Sequence, residues 1–241
     1  MPRSPVRATL AAGKAGTEGA EEGDVHQQET GGHCTLCGAE GLAPFAEAWG
    51  RRYFRCGRCR ITILDPAQRP TAAEERAEYD LHHNDPGDPR YRRFLAQVTD
   101  PLLERIAPGA EGLDFGCGPG PAIAAMLSER GFTVRNYDPF FHSDAAALER
   151  RYDFVTCTEV AEHFHRPDAA FEQLDGLLRP GGWLGLMTGV LHDDGAFATW
   201  PYIREASHVT FYRPETLDWI AGRFGWDLEP AGRNVALFRK R

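Results

Sequence analysis

Four cysteines near the front of this chain are spaced for metal chemistry. They read C-x2-C, eighteen residues, C-x2-C, as "CTLCG" from Cys34 and "CGRC" from Cys56. Each pair can close a tight knuckle, and two knuckles make a tetrahedral thiolate site that suits zinc. Two disulfides or a redox pair are the competing readings. Nothing in the sequence suggests secretion, and a doubled pair is unusual for a redox motif. The spacing predicts one structural zinc on Cys34, Cys37, Cys56 and Cys59. Cysteine fills every ligand position, so none stays open for water and the ion is not expected to be catalytic. So short a segment has little core, and the metal would supply much of its folding energy. A chelator is expected to unfold this ribbon and leave the main sheet intact.

A second constellation is "LDFGCGPG", residues 113–120. A strand, a glycine turn and a helix start make a crevice for an anion or a nucleotide. A phosphate loop would need a lysine after its last glycine, and there is none. A dinucleotide fingerprint would need its third glycine one residue later, where Pro121 stands. The acidic Asp114 would also repel a pyrophosphate. A ligand that is cationic where it meets Asp114, yet carries a ribose, fits better. Asp138 ends the next strand in "NYDPFF", where a carboxylate can grip both ribose hydroxyls. A third constellation is "TCTEVAEHFH", 156–165. Helical spacing puts Glu159, Glu162 and His163 on one face of a turn. His163, His165, His192 and His208 are the candidates for taking a proton.

These groups need a scaffold to position them. "YRRFLAQVTDPLLERIA" has apolar residues at helical spacing and stops at Pro108-Gly109. "GLDFGCG" reads as a buried strand, "PAIAAMLSERGF" as a helix capped by Gly131, and "TVRNYD" and "DFVTCTEV" as strands. "PDAAFEQLDGLLRPGG" is a helix closed by Pro180-Gly181-Gly182 before the strand "WLGLMTGV". "PETLDWIAGRFG" is a helix, and two apolar runs end the chain. Alternation of strands and helices predicts an α/β, doubly wound, mostly parallel sheet. The insert at 192–212 follows the fifth strand. Trp200, Tyr202, Phe211 and Tyr212 in it are expected to wall an apolar substrate pocket.

The run "GLDFGCGPG", "YDPFF", "YDFVTCTEVAEHF", "LRPGGWLGLMT" resembles the successive motifs of class I S-adenosylmethionine-dependent methyltransferases, over about 91–241. The resemblance implies a Rossmann-like sheet and S-adenosylmethionine as methyl donor. It implies that Asp114 lies near the donor's amino group, and that Gly116, Cys117, Gly118 and Gly120 let backbone close over its methionine part. Asp138 would hold the ribose, with Phe115, Pro139, Thr158 and Glu159 completing the site. One departure stands out. Only about fifteen residues separate Asp138 from "DFVTC", too few for the usual helix and strand, so a shortened strand-3 region is expected. Phe140 and Phe141 would cover the adenine or simply pack. The E-x-x-E-H run resembles the metal motif of small-RNA 2′-O-methyltransferases and of ubiquinone-pathway O-methyltransferases. That likeness implies a divalent cation on Glu159, Glu162, His163 and His208. Without metal, His163, His208 and Glu162 are the catalytic candidates.

The expected organisation is a disordered tail at 1–32, a zinc-ribbon module at 33–66, a linker at 67–90 and the methyltransferase domain at 91–241. The tail has too little apolar content to order itself, and its short "ATLAA" is no signal-peptide core. Net charge is −8, so no global basic field invites nucleic acid. No apolar run reaches the roughly 20 residues of a membrane span. A cytoplasmic enzyme is expected. Arg51, Arg52, Arg55, Arg58 and Arg60 crowd the second knuckle. Within 33–70, six arginines against Glu40, Glu47 and Asp65 leave +3, which four zinc-bound thiolates reduce to about +1. A solvated face explains them better than a phosphate patch. The favoured function is methyl transfer to oxygen or nitrogen, or carbon, of a small molecule. An RNA methyltransferase using the ribbon as adaptor and a non-catalytic ligand-binding module are the alternatives.

Overall fold

The computed structural model describes residues 32–80 and 84–241. The tail expected at 1–32 lies, up to residue 31, outside the described residues.

The main sheet has six strands. β4 (Glu111–Phe115) lies between β5 (Thr133–Tyr137) and β6 (Tyr152–Thr158), all parallel. β7 (Leu178–Met187) continues the parallel run beyond β6. β10 (Val235–Lys240) then pairs antiparallel with both β7 and β9 (Trp226–Pro230), giving the order β5-β4-β6-β7-β10-β9. Side chains alternate between faces, as a pleated strand requires. Phe154, Trp183, Met187 and Leu237 pack under α2 (Pro89–Leu103) and α3 (Ala122–Ser128). Val155, Leu184, Leu186 and Phe238 pack under α4 (Pro167–Leu177) and α5 (Pro214–Phe224). The sheet is therefore wound on both faces.

The short stretch between β5 and β6 holds only a single-turn helix, Ala145–Glu149, and no strand. The expected shortening of this region is observed. One boundary differs from expectation. β7 starts at Leu178 and includes Pro180-Gly181-Gly182. Its register against β6 slips between Tyr152 and Phe154, so a bulge absorbs the breaker residues. A side chain at Gly182 would press on the carbonyls of Asp153 and Tyr152, which explains a glycine there.

The cysteine segment forms a second sheet with β1 (Ala43–Ala48), β2 (Arg51–Arg55) and β3 (Thr62–Leu64). Its fourth strand comes from far along the chain: β8 (Thr210–Phe211) pairs antiparallel with β3. The stretch expected as a linker carries α1 (Ala72–Tyr79), closed at its start by a Thr71–Glu74 capping box. No helix among the described residues is long and apolar enough to cross a membrane.

Candidate functional site

A cavity of about 670 Å³ opens at the carboxyl ends of β4, β5 and β6. This is where open α/β sheets bind ligands, and the size suits a small-molecule site. The turn after β4 lines it through Phe115 to Pro119, and the turn after β5 through Tyr137 to Phe141. The turn after β6 adds Thr158, Glu159, Glu162 and His163, and the long insert adds only Glu205 and His208.

Gly116 and Gly118 have φ of +77° and +63°, a region that favours glycine. A Cβ on Gly116 would also lie 2.4 Å from the Val160 side chain. The Gly118 amide donates to Asp138 Oδ2 at 3.1 Å. Asp138 Oδ1 accepts from the amides of Phe140 (2.8 Å) and Phe141 (3.1 Å), so one carboxylate ties two loops at the cavity floor. Gly120 does not line the cavity. A Cβ there would stand 1.8 Å from the carbonyl oxygen of Asn84, so the glycine admits the segment before α2. Gly120→Ala is expected to lower stability by about 1–3 kcal/mol, the usual cost of overpacking. Thermal unfolding measures it, and an unchanged midpoint would refute the contact.

Asp114 lies beneath the turn and outside the lining residues. It is buried and accepts a hydrogen bond from Thr156 Oγ1 at 2.8 Å. Burial pushes its carboxyl up to about 7, the negative Asp138 adds to this, and the Thr156 bond opposes it. Cys117 and Cys157 are buried, and burial raises both thiols, which fits packing residues.

The histidine side is a hydrogen-bonded cluster. Glu162 is fully buried. It accepts from Thr188 Oγ1 at 2.7 Å and, by a short bond, from the Tyr202 hydroxyl. His163 Nδ1 is 3.0 Å from the Ser207 carbonyl, and His208 Nδ1 is 2.7 Å from the Tyr202 carbonyl. A carbonyl only accepts, so each Nδ1 carries a proton. His208 Nε2 is 3.9 Å from Glu162 Oε1 and 3.4 Å from Glu205 Oε2. One atom each from Glu162, His163 and His208 falls within 4.8 Å of the others, close enough to share a metal ion.

Two expectations change here. Glu159 does not share the helical turn. It takes a left-handed φ of +52°, and the single turn starts only at Ala161. It lines the cavity but stands outside the three-residue cluster. Burial, followed by repulsion from Glu162 and Glu205, pushes its carboxyl up to about 8. The aromatics of the insert do not wall the pocket either. Phe211 and Tyr212 are fully buried, and Trp200 and Tyr202 stack on each other against the ribbon's core. His165 is held by Glu75 at 2.7 Å and His192 by the Arg233 carbonyl at 2.9 Å, both outside the lining.

Several lining residues carried no sequence motif. Tyr79 of α1 meets the His163 ring at 5.2 Å and the Phe140 ring at 5.6 Å, and Tyr91 and Phe94 of α2 complete the wall. Tyr202 was visible only as an aromatic in the insert, and its real contact is with Glu162.

The four predicted cysteines converge. Cys34 Sγ is 3.5 Å from Cys59 Sγ, Cys37 Sγ is 3.4 Å from Cys56 Sγ, and all four sulfurs lie within 4.8 Å of one another. All are free thiols. The residue after each second cysteine, Gly38 or Arg60, has a positive φ, and the amides of both donate back to the knuckle's first cysteine carbonyl. The set fits a four-coordinate thiolate metal.

The chain is similar to several known proteins. A ubiquinone biosynthesis O-methyltransferase of Leptothrix cholodnii is 32% identical over 33% of this chain and 44% of its own length. One of Paraburkholderia phytofirmans is 41% identical over the same shares. The chain thus spans under half the length of the curated relatives it matches. A 1,6-didemethyltoxoflavin-N1-methyltransferase of Burkholderia thailandensis, solved with its substrate and S-adenosylhomocysteine, is 19% identical at TM-score 0.46, covering 82% of this chain and 98% of that one. The family model described as a methyltransferase domain matches residues 88–231, which take in the glycine turn, Asp138 and the histidine cluster. The chain belongs to that family, the S-adenosylmethionine-dependent methyltransferases.

Proposed function

We propose that the protein moves a methyl group from S-adenosylmethionine to an oxygen or nitrogen of a small, neutral or cationic acceptor. The observation that carries this is the pair of imidazoles at the cavity wall, each pinned through Nδ1 to a backbone carbonyl. When bound, S-adenosylmethionine supplies a methyl group made electrophilic by its positive sulfur. Gly116, Cys117, Gly118 and Asp138 would hold the methionine and ribose parts, with Phe115, Pro139, Thr158 and Glu159 around them. His163 or His208 Nε2 would take the acceptor's proton, while the electrons of the broken methyl–sulfur bond would stay on the departing thioether. Glu162 stabilises the resulting imidazolium, and Tyr202 and Thr188 fix Glu162 in place. The ribbon at 33–66 would carry zinc on its four thiolates, and free thiols in that role fit a reducing compartment such as the cytoplasm.

A second reading rests on the same cluster. Glu162, His163 and His208 would hold a divalent cation, which lowers the pKa of an acceptor hydroxyl. Activity that EDTA abolishes and Mg²⁺ restores supports the cation. Activity indifferent to EDTA leaves the histidines as bases.

Charge narrows the acceptor. The cavity is lined by Glu75, Asp138, Glu159, Glu162 and Glu205, with no lysine or arginine among the described residues. An anionic acceptor would meet repulsion there. The ribbon arginines are engaged internally: Arg52 pairs with Asp65 at 2.6 Å and Arg55 with Asp194 at 2.6 Å. These contacts favour small molecules over RNA. The test offers tritiated-methyl S-adenosylmethionine with a panel of phenols, alcohols, amines, their phosphorylated counterparts and an RNA oligonucleotide. Label is expected on neutral or cationic small molecules. Label on RNA or on the phosphorylated set would overturn the reading.

Asp114 gives a pH prediction. Its folded pKa of about 7 exceeds the ordinary carboxylate value, so between about pH 4 and 7 the folded protein holds more protons than the unfolded one. Its contribution to stability therefore declines as pH rises through that window. A cationic donor favours the ionised form, so donor affinity is expected to climb from pH 6 to 8. Asp114→Asn removes the slope. Calorimetry that finds the same slope in the variant would sink the assignment.

A further inference from the structure

The ribbon is built into the acceptor side of the cavity. Leu64, at the end of β3, donates its N–H to the Val209 carbonyl at 2.8 Å, and Val209 donates its own N–H to the Glu162 carbonyl at 2.9 Å. One residue thus bonds the ribbon strand to the turn carrying Glu162 and His163, and its neighbour in sequence is His208. Arg51 of β2 grips the segment before it, donating from Nη1 to the carbonyls of Glu205 (3.0 Å) and Ile203 (3.5 Å). Buried Arg55 bonds Thr62 Oγ1 at 2.9 Å and reaches Asp194 in the insert. Tyr53, Phe197 and Phe211 meet edge to face across the same seam, at 4.9 to 5.6 Å. On the opposite face Ile61 and Ile63 join the core of Phe171 and Tyr212, and the Thr35 carbonyl in the first knuckle accepts from the Asp168 amide that opens α4.

We propose that the ribbon is the scaffold that positions His208 and Glu162 against the acceptor, with Arg51 as a positioning residue. The hydrogen bonds and ring contacts just described involve no residue of β4 or β5, whose Leu113 and Phe115 meet the ribbon only through the shared apolar core. The proposal rests on the reading of these residues as the acceptor side, and its test is independent of any acceptor. Amide exchange is measured on the full chain with its metal, alongside S-adenosylhomocysteine affinity by calorimetry. Arg51→Ala is expected to speed exchange across 203–209 about tenfold or more. Exchange at 111–128 and affinity for S-adenosylhomocysteine stay within threefold. Arg51→Lys keeps a donor within reach and recovers part of the protection. Unchanged exchange at 203–209, or acceleration spread equally to 111–128, would overturn the proposal. If the coupling appears but no acceptor is ever methylated, the functional reading fails and the scaffold role stands. Once an acceptor is identified, Arg51→Ala lowers kcat with the donor KM unchanged.

Discussion

Replacing His163 by alanine is expected to slow methyl transfer about 10²–10⁴-fold, the usual contribution of a positioned general base. Affinity for S-adenosylhomocysteine stays within a few fold, because His163 is absent from the turns after β4 and β5. His163 lines the cavity with Nδ1 on the Ser207 carbonyl, and its ring centroid is 4.9 Å from that of His208. The two rings meet edge to face, and one atom of each lies within 4.8 Å of a Glu162 oxygen. Removing His208 as well therefore costs far less than the product of the single losses. The comparison needs an acceptor from the labelled-methyl panel and single-turnover rates. A His163→Ala enzyme that turns over at the parent rate would remove the histidine from the chemistry.

Cys59→Ser is expected to be the most damaging change outside the cavity. Cys59 is fully buried, and its sulfur completes the four-cysteine cluster. Structural zinc sites in small modules supply on the order of 10 kcal/mol, so losing one ligand forfeits much of the ribbon's stability. The loss will not stop at the ribbon. Cys59, Ile61 and Ile63 share a core with Leu113, Val155 and Phe171 of the main fold. The sequence alone suggested that a chelator would leave the main sheet intact. The shared core and the β3–β8 pairing predict instead that the insert and the acceptor side come apart with it. Metal content near zero, with a thermal midpoint lower by about 10 °C or more, is the expected result. A variant that keeps one zinc and its parent midpoint would contradict the site.

Short-range patterns are legible in the sequence. The cysteine spacing, the glycine turn after β4 and the carboxylate after β5 are short-range patterns, and each fixes its own backbone geometry. The missing strand after β5 is legible because the fourteen residues 139–152 cannot hold a helix and a strand. What escaped was long-range. No local pattern says that Thr210 and Phe211 will pair with β3, since their partner lies about 150 residues earlier. That pairing turned the insert's aromatics toward the ribbon and left Glu205 and His208 at the cavity. Glu159 escaped for a different reason. Helical spacing at 159–163 does not hold, because the chain leaves β6 with a left-handed residue and the period does not apply to it. The motif around Gly120 points to a ligand, while the segment at Asn84 that needs the space has no signature.

The most direct test is titration calorimetry with S-adenosylhomocysteine on the full chain and on Asp138→Ala. One molecule per chain is expected to bind, and the variant to bind about 10–100-fold more weakly, as losing a charged acceptor of about 1–3 kcal/mol implies. Absence of binding to the parent protein, or equal affinity in the variant, would contradict the account of the donor site.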